Sequence, residues 1–205
     1  MRIAVVILAA GAGSRYGGGK VIAPVRGRPV LAHVLTAAAA LQPAATFLVL
    51  GTDADAVLAA VDPGSAHVLR NPDPGRGLAS SLRIGVEGAA ALRPAPDAIL
   101  LLLGDQPLVR AEVAVALLAA ASAEPGGPPV IAPRYADEPD AVLHPALLLP
   151  PAWPLVAGLT GDRGLGPLLA ARPELLRRVP VAGANPDVDT PADLARIEGA
   201  GSAAG

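Results

Sequence analysis

The chain has 205 residues, which is enough for one α/β domain with a sizeable core. Its net charge is −2 and only 2% of its residues are aromatic, so the sequence shows neither the basic stripe nor the aromatic platform of a nucleic-acid-binding surface. It contains no cysteine, which excludes disulfides, thiolate nucleophiles and cysteine metal sites. No apolar run approaches the ~20 residues that span a bilayer. We therefore expect a cytoplasmic protein with no membrane or nucleic-acid partner.

Short apolar runs alternate with alanine-rich helical patterns along the first two thirds of the chain. Strands are expected at residues 3–8, 46–50, 66–69, 98–103 and 130–132. Helices are expected at residues 29–41, 53–61, 79–92 and 110–121. This alternation predicts βαβ units and a Rossmann-like α/β fold, whose mainly parallel central sheet is buried on both faces.

The pattern changes after residue 132. We expect a loop or hairpin at 133–145, short helical pieces near 151–158 and 164–171, and a strand at about 175–181. The last helix has clear start signals, with Thr190 as N-cap, Pro191 at the first helical position and Asp193 at the third. Residues 1–198 are expected to form a single domain, and residues 199–205 a disordered tail.

A glycine-rich loop follows the first strand and ends at Lys20, the only lysine among the chain's 16 basic residues. Glycines let backbone amides approach an anion, and a lysine at the end of such a loop can reach bound phosphates. A compact ammonium in a chain that otherwise uses arginine suggests that a point charge is required here. The loop therefore predicts phosphate binding.

Two common phosphate-binding loops do not fit this segment. A P-loop would need glycine where Ser14 stands and a hydroxyl residue where Val21 follows the lysine. A dinucleotide-binding fingerprint would need its third glycine one position before Gly17, with an acidic residue about 20 residues further on. The nearest acidic candidate, Asp53, lies too far along the chain.

Two aspartates at predicted strand ends are candidate metal ligands. Asp105 follows a fully apolar strand, at the sheet edge where open α/β folds bind ligands, and Mg²⁺ prefers one or two carboxylates plus phosphate oxygens and water. Asp187 and Asp189 lie two residues apart in an extended segment, and we expect only one of them to face the metal. We favour Asp189, directly before the helix cap. Two structural interpretations stay open: Gly-Asp-x-Pro as a turn, and the later aspartates as charges at a helix N-terminus.

Six motifs occur in the order typical of one enzyme family. They are Leu8-Ala-Ala-Gly-Ala-Gly-Ser-Arg15-x-Gly17-x-x-Lys20, Asn71-Pro-x4-Gly77-x-x-Ser80-Ser81-Leu82-x-x-Gly85, Leu103-Gly-Asp105-Gln-Pro107, His144-Pro145, Leu159-Thr-Gly-Asp162-x-Gly164 and Asp187-Val-Asp189-Thr-Pro-x-Asp193-Leu. Together they resemble the molybdenum cofactor cytidylyltransferase branch of the MobA-like molybdopterin nucleotidyltransferases. The resemblance covers nearly the whole chain and implies a three-layer sandwich of the nucleotide-diphospho-sugar transferase type.

The resemblance also implies a reaction: Mg²⁺-dependent transfer of CMP from CTP to the phosphate of molybdopterin, with release of pyrophosphate. A client molybdoenzyme would be a further partner. The implied catalytic residues are Arg15, Lys20 and Asp105, and the implied metal ligands are Asp105 and Asp189. The implied nucleotide-binding residues are Leu8, Ala9, Ala10, Gly11, Gly13, Ser14, Asn71, Gly77 and Ser81. The implied acceptor-binding residues are His144 and Asp162. CTP is favoured over GTP because the guanylyl branch usually has glycine where Ala10 stands.

Several alternatives remain open. Leu143 and Gly166 depart from the family pattern on the acceptor side, where glycine and arginine are usual. Transfer of a guanylyl or cytidylyl group to another small phosphate, a non-catalytic molybdenum-cofactor chaperone and an NADPH-dependent pyridine-dye oxidoreductase of the same fold are therefore also considered. Ser80 and Ser81 can also be interpreted as helix-entry residues, and His144 as a structural histidine.

Overall fold

A computed structural model describes residues 1–11, 13, 16–138 and 143–202, with side chains through residue 199. Its strands in chain order are β1 (Ile3–Ala9), β2 (Pro24–Val25), β3 (Arg28–Pro29), β4 (Ala45–Leu50), β5 (His67–Arg70), β6 (Ala98–Leu103), β7 (Val130–Tyr135), β8 (Ala146–Leu148) and β9 (Leu176–Val181). Seven of them form one sheet in the order β5-β4-β1-β6-β8-β7-β9, and β2 and β3 pair separately. Only β8 runs antiparallel within the sheet, so the predicted mainly parallel sheet is confirmed.

Helices cover both faces of the sheet. They are α1 (Val30–Ala40), α2 (Ala54–Ala60), α3 (Leu78–Ala90), α4 (Ala111–Ala123), α5 (Trp153–Val156), α6 (Gly166–Ala171) and α7 (Pro191–Ser202). Side chains of α1, α2 and α4 join one hydrophobic core, and side chains of α3, α5 and α6 join the other. The predicted three-layer α/β sandwich is therefore confirmed.

The central strand β1 shows why this sequence forms a doubly covered sheet. It is fully buried, with alternate residues from Ile3 to Ala9 in one core and those between them in the other. A strand that is apolar at every position suits a parallel sheet with helices on both faces. The matching strand β6 pairs directly with β1, from Ile3 opposite Ala98 to Leu8 opposite Leu103.

The region after residue 132 differs from the prediction. Strand β7 continues through Pro133 to Tyr135, although we expected a loop or hairpin to begin at Pro133. Proline is tolerated there because β8 pairs with β7 only at Val130 and Ile131, which leaves one side of the later residues without a ladder partner. Strand β8 was not predicted because it is only three residues long and lies close to proline at both ends.

The last helix begins as predicted but ends later. Thr190 and Asp193 form a reciprocal cap: the Asp193 carboxylate accepts from the Thr190 backbone N–H at 2.8 Å, and the Thr190 hydroxyl accepts from the Asp193 N–H at 3.3 Å. The helix then continues through Ser202, past residue 198, where we expected the domain to end. Buried Leu194 and Ile197 explain its docking, since they pack against the β2–β3 region. No helix in the described part of the chain is long and apolar enough to cross a membrane.

The strand order places two loops side by side at the carboxyl edge of the sheet. From β1 the chain proceeds outward through β4 and β5, and then returns to the other side of β1 at β6. The loops that follow β1 and β6 therefore leave in opposite directions. Such a switch in strand order opens the crevice in which α/β folds bind ligands.

Close packing of α3 on the sheet gives a test of this architecture. A Cβ at Gly85 would clash with the Val6 side chain and lie 3.2 Å from Val49 Cγ2. We expect Gly85→Ala to lower the free energy of unfolding by about 1–3 kcal/mol, as overpacking does in cores. Gly199→Ala is the matched control because position 199 is also helical and a Cβ there would meet nothing within 4 Å. It should instead raise stability by roughly 0.5 kcal/mol. Urea unfolding measures both, and equal effects would contradict the packing.

Candidate active site

A cavity of about 430 Å³ opens at the carboxyl edge of the sheet, between the loops after β1 and β6 and the start of α3. It is concave, partly apolar and lined by a few polar groups, as small-molecule sites usually are. Nine residues that the sequence assigned to a site line it: Leu8, Ala9, Ala10, Gly11, Lys20, Gly77, Ser81, Asp105 and Asp162. Motifs that are distant in the sequence therefore meet in one place.

Gly51 and Gly104, which directly follow the two strands beside β1, allow close contact with the backbone at the end of β1. A Cβ at Gly104 would lie 2.7 Å from Ala9 Cβ, and a Cβ at Gly51 would lie 2.7 Å from the Ala10 carbonyl oxygen. Gly104 also donates its N–H to the Leu8 carbonyl at 2.9 Å. The backbone that leads into the glycine-rich loop is thereby fixed from both sides.

Lys20 joins the two aspartates that we predicted as metal ligands. Its ammonium lies 2.5 Å from Asp105 Oδ2 and 3.0 Å from Asp189 Oδ1. Lys20 begins a short 3-10 turn, and a Cβ at Gly13 would lie 3.2 Å from its Cγ, so a side chain there would crowd the lysine stem. Burial disfavours the charged ammonium, but the two carboxylates outweigh burial and raise the pKa of Lys20. The lysine therefore stays protonated.

Asp187 and Asp189 have different hydrogen-bond partners. The Asp189 carboxylate turns to Lys20, while Asp187 Oδ1 accepts from Gln106 Nε2 at 2.7 Å. Burial, and then the nearby Asp105 carboxylate, raise the pKa of Asp187 to about 6. The Asp189 side chain is 44% exposed, so of these two carboxylates it is the more open to a ligand.

The donor set fits a divalent metal. Asp105 and Asp189 already converge on one cation, the ammonium of Lys20. Asp105 Oδ1 is buried and has no hydrogen-bond partner among the described residues. Within those residues, no group of three or more histidines or acids is placed to hold a metal. Phosphate oxygens and water would therefore have to complete the coordination, as is usual for Mg²⁺.

Asn71 lies behind the cavity and orients two serines. It is only 3% exposed, and its Nδ2 donates to Ser80 Oγ at 2.8 Å and to Ser81 Oγ at 2.9 Å. Ser80 donates to the Gly77 carbonyl at 2.8 Å and so completes the first turn of α3. Ser81 is the serine that reaches the cavity. The structure thus places Asn71 beneath the site surface that we predicted it to form.

Asp162 lies on the cavity because its loop packs against the start of α3. Gly77 has φ 86°, and a Cβ there would clash with Asp162 and lie 2.5 Å from the Gly161 carbonyl carbon. The Ala79 N–H also donates to the Gly161 carbonyl at 3.1 Å. These contacts favour glycine at position 77, because a side chain would be strained by the backbone and blocked by the loop.

His144 does not join Asp162, although the sequence grouped both as acceptor-binding residues. It precedes β8, which places it near the end of β6 but outside the lining of the cavity. The residue is half-buried, while its Nδ1 is fully buried and has no hydrogen-bond partner among the described residues. Desolvation lowers the pKa of His144 to about 4, so the ring is neutral at pH 7.

Two predicted residues, Ser14 and Arg15, lie outside the described residues. One residue with a clear structural role was missed: buried Asn185, whose Nδ2 donates to Gln106 Oε1 at 2.9 Å. The signal in the sequence was weak, since Asn185 is simply one of two asparagines, close to an aspartate motif.

With this geometry established, the family can be assigned. The family model of the MobA-like NTP transferase domain matches residues 5–178. The chain belongs to this family. The structure resembles Rv0371c from Mycobacterium tuberculosis H37Rv, with 32% identity, a TM-score of 0.84 and coverage of 97% of this chain and 98% of that one. A manganese complex of Rv0371c matches with 30% identity, a TM-score of 0.80 and coverage of 97% and 99%.

A further relative is the bifunctional protein GlmU of Alkalilimnicola ehrlichii. It is 44% identical over 124 residues, which are 58% of this chain. The match spans only 25% of that protein. The similarity is therefore to a part of GlmU.

The neutral state of His144 predicts a pH dependence of stability. Its pKa of about 4 in the folded protein lies below the ordinary value of 6.5, so the unfolded chain binds the proton more readily between these values. Wild-type stability relative to His144→Gln should therefore fall as pH decreases from 7 to 5, by about 1–2 kcal/mol. Urea unfolding of both proteins at several pH values measures this difference. A difference that does not change with pH would contradict the buried neutral histidine.

Proposed function

We propose that the protein is a divalent-metal-dependent cytidylyltransferase, which transfers CMP from CTP to the terminal phosphate of molybdopterin. The observation that carries the proposal is the convergence of Lys20, Asp105 and Asp189 beside a cavity lined by the first part of the glycine-rich loop. Membership of the MobA-like NTP transferase family supports nucleotidyl transfer. The motif resemblance supports the choice of CTP and of molybdopterin.

The reaction requires little covalent chemistry from the protein. An oxygen of the acceptor phosphate forms a bond to the α-phosphorus of CTP, and the bond from that phosphorus to the oxygen bridging to the β-phosphate breaks. Pyrophosphate leaves with the electron pair. The acceptor phosphate is already an anion, so no general base is needed. Positioning and neutralisation of negative charge are then the main sources of rate enhancement.

The charged residues divide this work. Asp105 and Asp189 would hold Mg²⁺, which would neutralise charge on the phosphates when bound. Lys20 supplies a second positive charge at the same place, and we assign Arg15 to the triphosphate as well. Gly13 and Ser14 belong to the glycine-rich loop, which would wrap the triphosphate.

The base would lie against β1 and α3. Leu8, Ala9, Ala10 and Gly11 form one side of the cavity, and Gly77 and Ser81 form another. The Ser81 hydroxyl accepts from Asn71, which leaves its own proton to donate to a base. The Ala10 methyl group crowds a larger base, and a contact of this size discriminates by about 1–3 kcal/mol. We therefore favour CTP over GTP.

The position of His144 favours a second candidate, transfer to a different small phosphorylated acceptor. Asp162 reaches the cavity whereas His144 does not, so the residues implied for molybdopterin are separated. Leu143 and Gly166 are further departures on that side. The nucleotide half of the site is thus better supported by contacts than the acceptor half.

Pyrophosphate release tests the reaction and its two substrates together. We expect release from CTP with Mg²⁺ only when molybdopterin is present, with GTP, ATP and UTP as comparisons. Release with a different phosphorylated acceptor would support the second candidate. CTP binding without release would support a non-catalytic cofactor chaperone, and NADPH binding would support a dye oxidoreductase. A preference for GTP would contradict the assignment of CTP.

Removal of the central charges should abolish most of the turnover. Asp105→Ala and Lys20→Ala are each expected to lower kcat by at least ~10²-fold, the scale of losing one preorganised electrostatic contact. Asp55→Ala is the matched control because Asp55 also forms an ion pair, with Arg70, but on the surface. It should keep near-wild-type turnover. A near-wild-type rate for Asp105→Ala in excess Mg²⁺ would contradict the metal assignment.

A further inference from the structure

We infer that Gln106 and Asn185 form an amide clasp that positions Asp189 opposite Asp105, and that Asp187 anchors this clasp rather than binding metal. The inference rests on the proposed function for its meaning, because the two positioned carboxylates are the proposed metal ligands. It concerns positioning residues, since none of the three lines the cavity.

The clasp consists of three short contacts in a buried setting. Asn185 Nδ2 donates to Gln106 Oε1 at 2.9 Å, and Gln106 Nε2 donates to the Asn185 carbonyl at 3.2 Å. The same Nε2 donates to Asp187 Oδ1 at 2.7 Å. Gln106 is 1% exposed and Asn185 is 5% exposed, so water does not compete for these bonds.

The chemistry fixes which way the Gln106 amide points. Its NH₂ group faces two acceptors, the Asn185 carbonyl and the Asp187 carboxylate. A flipped amide would place its oxygen against both of them and lose both hydrogen bonds. The orientation therefore follows from the donors and acceptors around it. All donors and the acceptor of Gln106 are used inside this network.

The clasp connects two segments that carry one carboxylate each. Gln106 is next to Asp105 in the loop after β6, and Asn185 begins the segment that leads to Asp189. A backbone bond supports the same junction, from the Val188 N–H to the Asp105 carbonyl at 2.9 Å. Because the contacts of Gln106 with Asn185 and Asp187 tie this segment to the loop that carries Asp105, Asp189 is held where it meets Lys20. The clasp thus sets the separation of the two proposed metal ligands.

The ion pair between Lys20 and Asp189 alone would not supply this precision. The Asp189 side chain is 44% exposed, so solvent partly screens this pair. Removal of one partner from the buried amide contacts, in contrast, leaves the other partner without a hydrogen bond and costs its full desolvation penalty. Gln106 and Asn185 are therefore expected to determine where Asp189 lies, while Lys20 neutralises the charge that results.

The sole lysine gives a test that needs neither metal nor nucleotide. Gln106→Glu replaces the donating NH₂ by an oxygen that faces Asp187 and the Asn185 carbonyl. Repulsion should move the segment that carries Asp189, and Lys20 should then lose one carboxylate partner and be acylated faster by an amine-selective reagent. We expect at least about a threefold rise in the rate at Lys20, measured by peptide mass spectrometry, since loss of the ion pair to a partly exposed carboxylate releases the lysine side chain by a factor of this size.

A compensating pair of changes separates positioning from general damage. In Gln106→Glu with Asp187→Asn, the new amide can donate to the new carboxylate, so Lys20 reactivity should return part of the way to the wild-type rate. Gln42→Glu is the matched control, since Gln42 is the chain's other glutamine and is exposed. Circular dichroism and urea unfolding show whether each variant is folded. Unchanged Lys20 reactivity in folded Gln106→Glu and Asn185→Ala would overturn the clasp.

Binding of Mn²⁺ then relates the clasp to the proposed function. We expect electron paramagnetic resonance to show an Mn²⁺ site in the wild-type protein with CTP, and a dissociation constant at least about tenfold higher in Gln106→Glu. Faster acylation of Lys20 in Gln106→Glu, without any Mn²⁺ site in the wild-type protein, would support the clasp and contradict the metal assignment. Wild-type Mn²⁺ affinity in Gln106→Glu would contradict the positioning role of the clasp.

Discussion

The site depends on one partly buried positive charge between two negative ones. Asp105 and Asp189 come from distant parts of the chain, and each would repel the other if the ammonium of Lys20 did not lie between them. In a partly buried place this repulsion is stronger than in water, because less solvent screens it. Lys20 in turn can keep its proton there only because the carboxylates offset its burial. The three charges are therefore mutually required, and the loops that carry them have to end at the same edge of the sheet.

The fold provides this edge through its strand order. The reversal at β1 places the glycine-rich loop next to the loop that carries Asp105, and glycines at the ends of β4 and β6 bring the backbones into contact there. The antiparallel strand β8 separates this parallel half from β7 and β9. His144 belongs to the chain that enters β8, so it is tied to the far side of β6. The separation of His144 from the cavity is thus a consequence of topology.

Much of the fold and of the cavity lining could be predicted from the sequence, and particular residues show why. The β1 and β6 runs are apolar at every position because both sheet faces are covered, and Thr190, Pro191 and Asp193 mark a helix start by local chemistry alone. Strand β8 could not be predicted, because three residues between prolines carry no periodic signal and its pairing is decided by partners far away in the chain. The extent of α7 could not be predicted for a similar reason. Its helical continuation through glycines and serine does not follow from propensity, which favours neither residue within a helix.

The roles of the polar residues follow a different logic from those of the apolar ones. Asn71 and Asn185 are both buried amides that do not line the cavity. Asn71 fixes Ser81, which lines the cavity, and Asn185 bonds to Gln106 and helps to fix the segment that carries Asp189. A sequence motif shows that such a residue accompanies a site, but it does not show whether the side chain contacts the ligand or holds another side chain in place. That distinction depends on which donors and acceptors of the side chain remain unused once the local structure has formed. For Asn71 they are used on Ser80, Ser81 and the Asp73 N–H, which makes Ser81 the residue of this group that can contact a nucleotide. The same accounting makes Asp187 an anchor, since its half-buried carboxylate accepts from Gln106, while Asp189 faces Lys20.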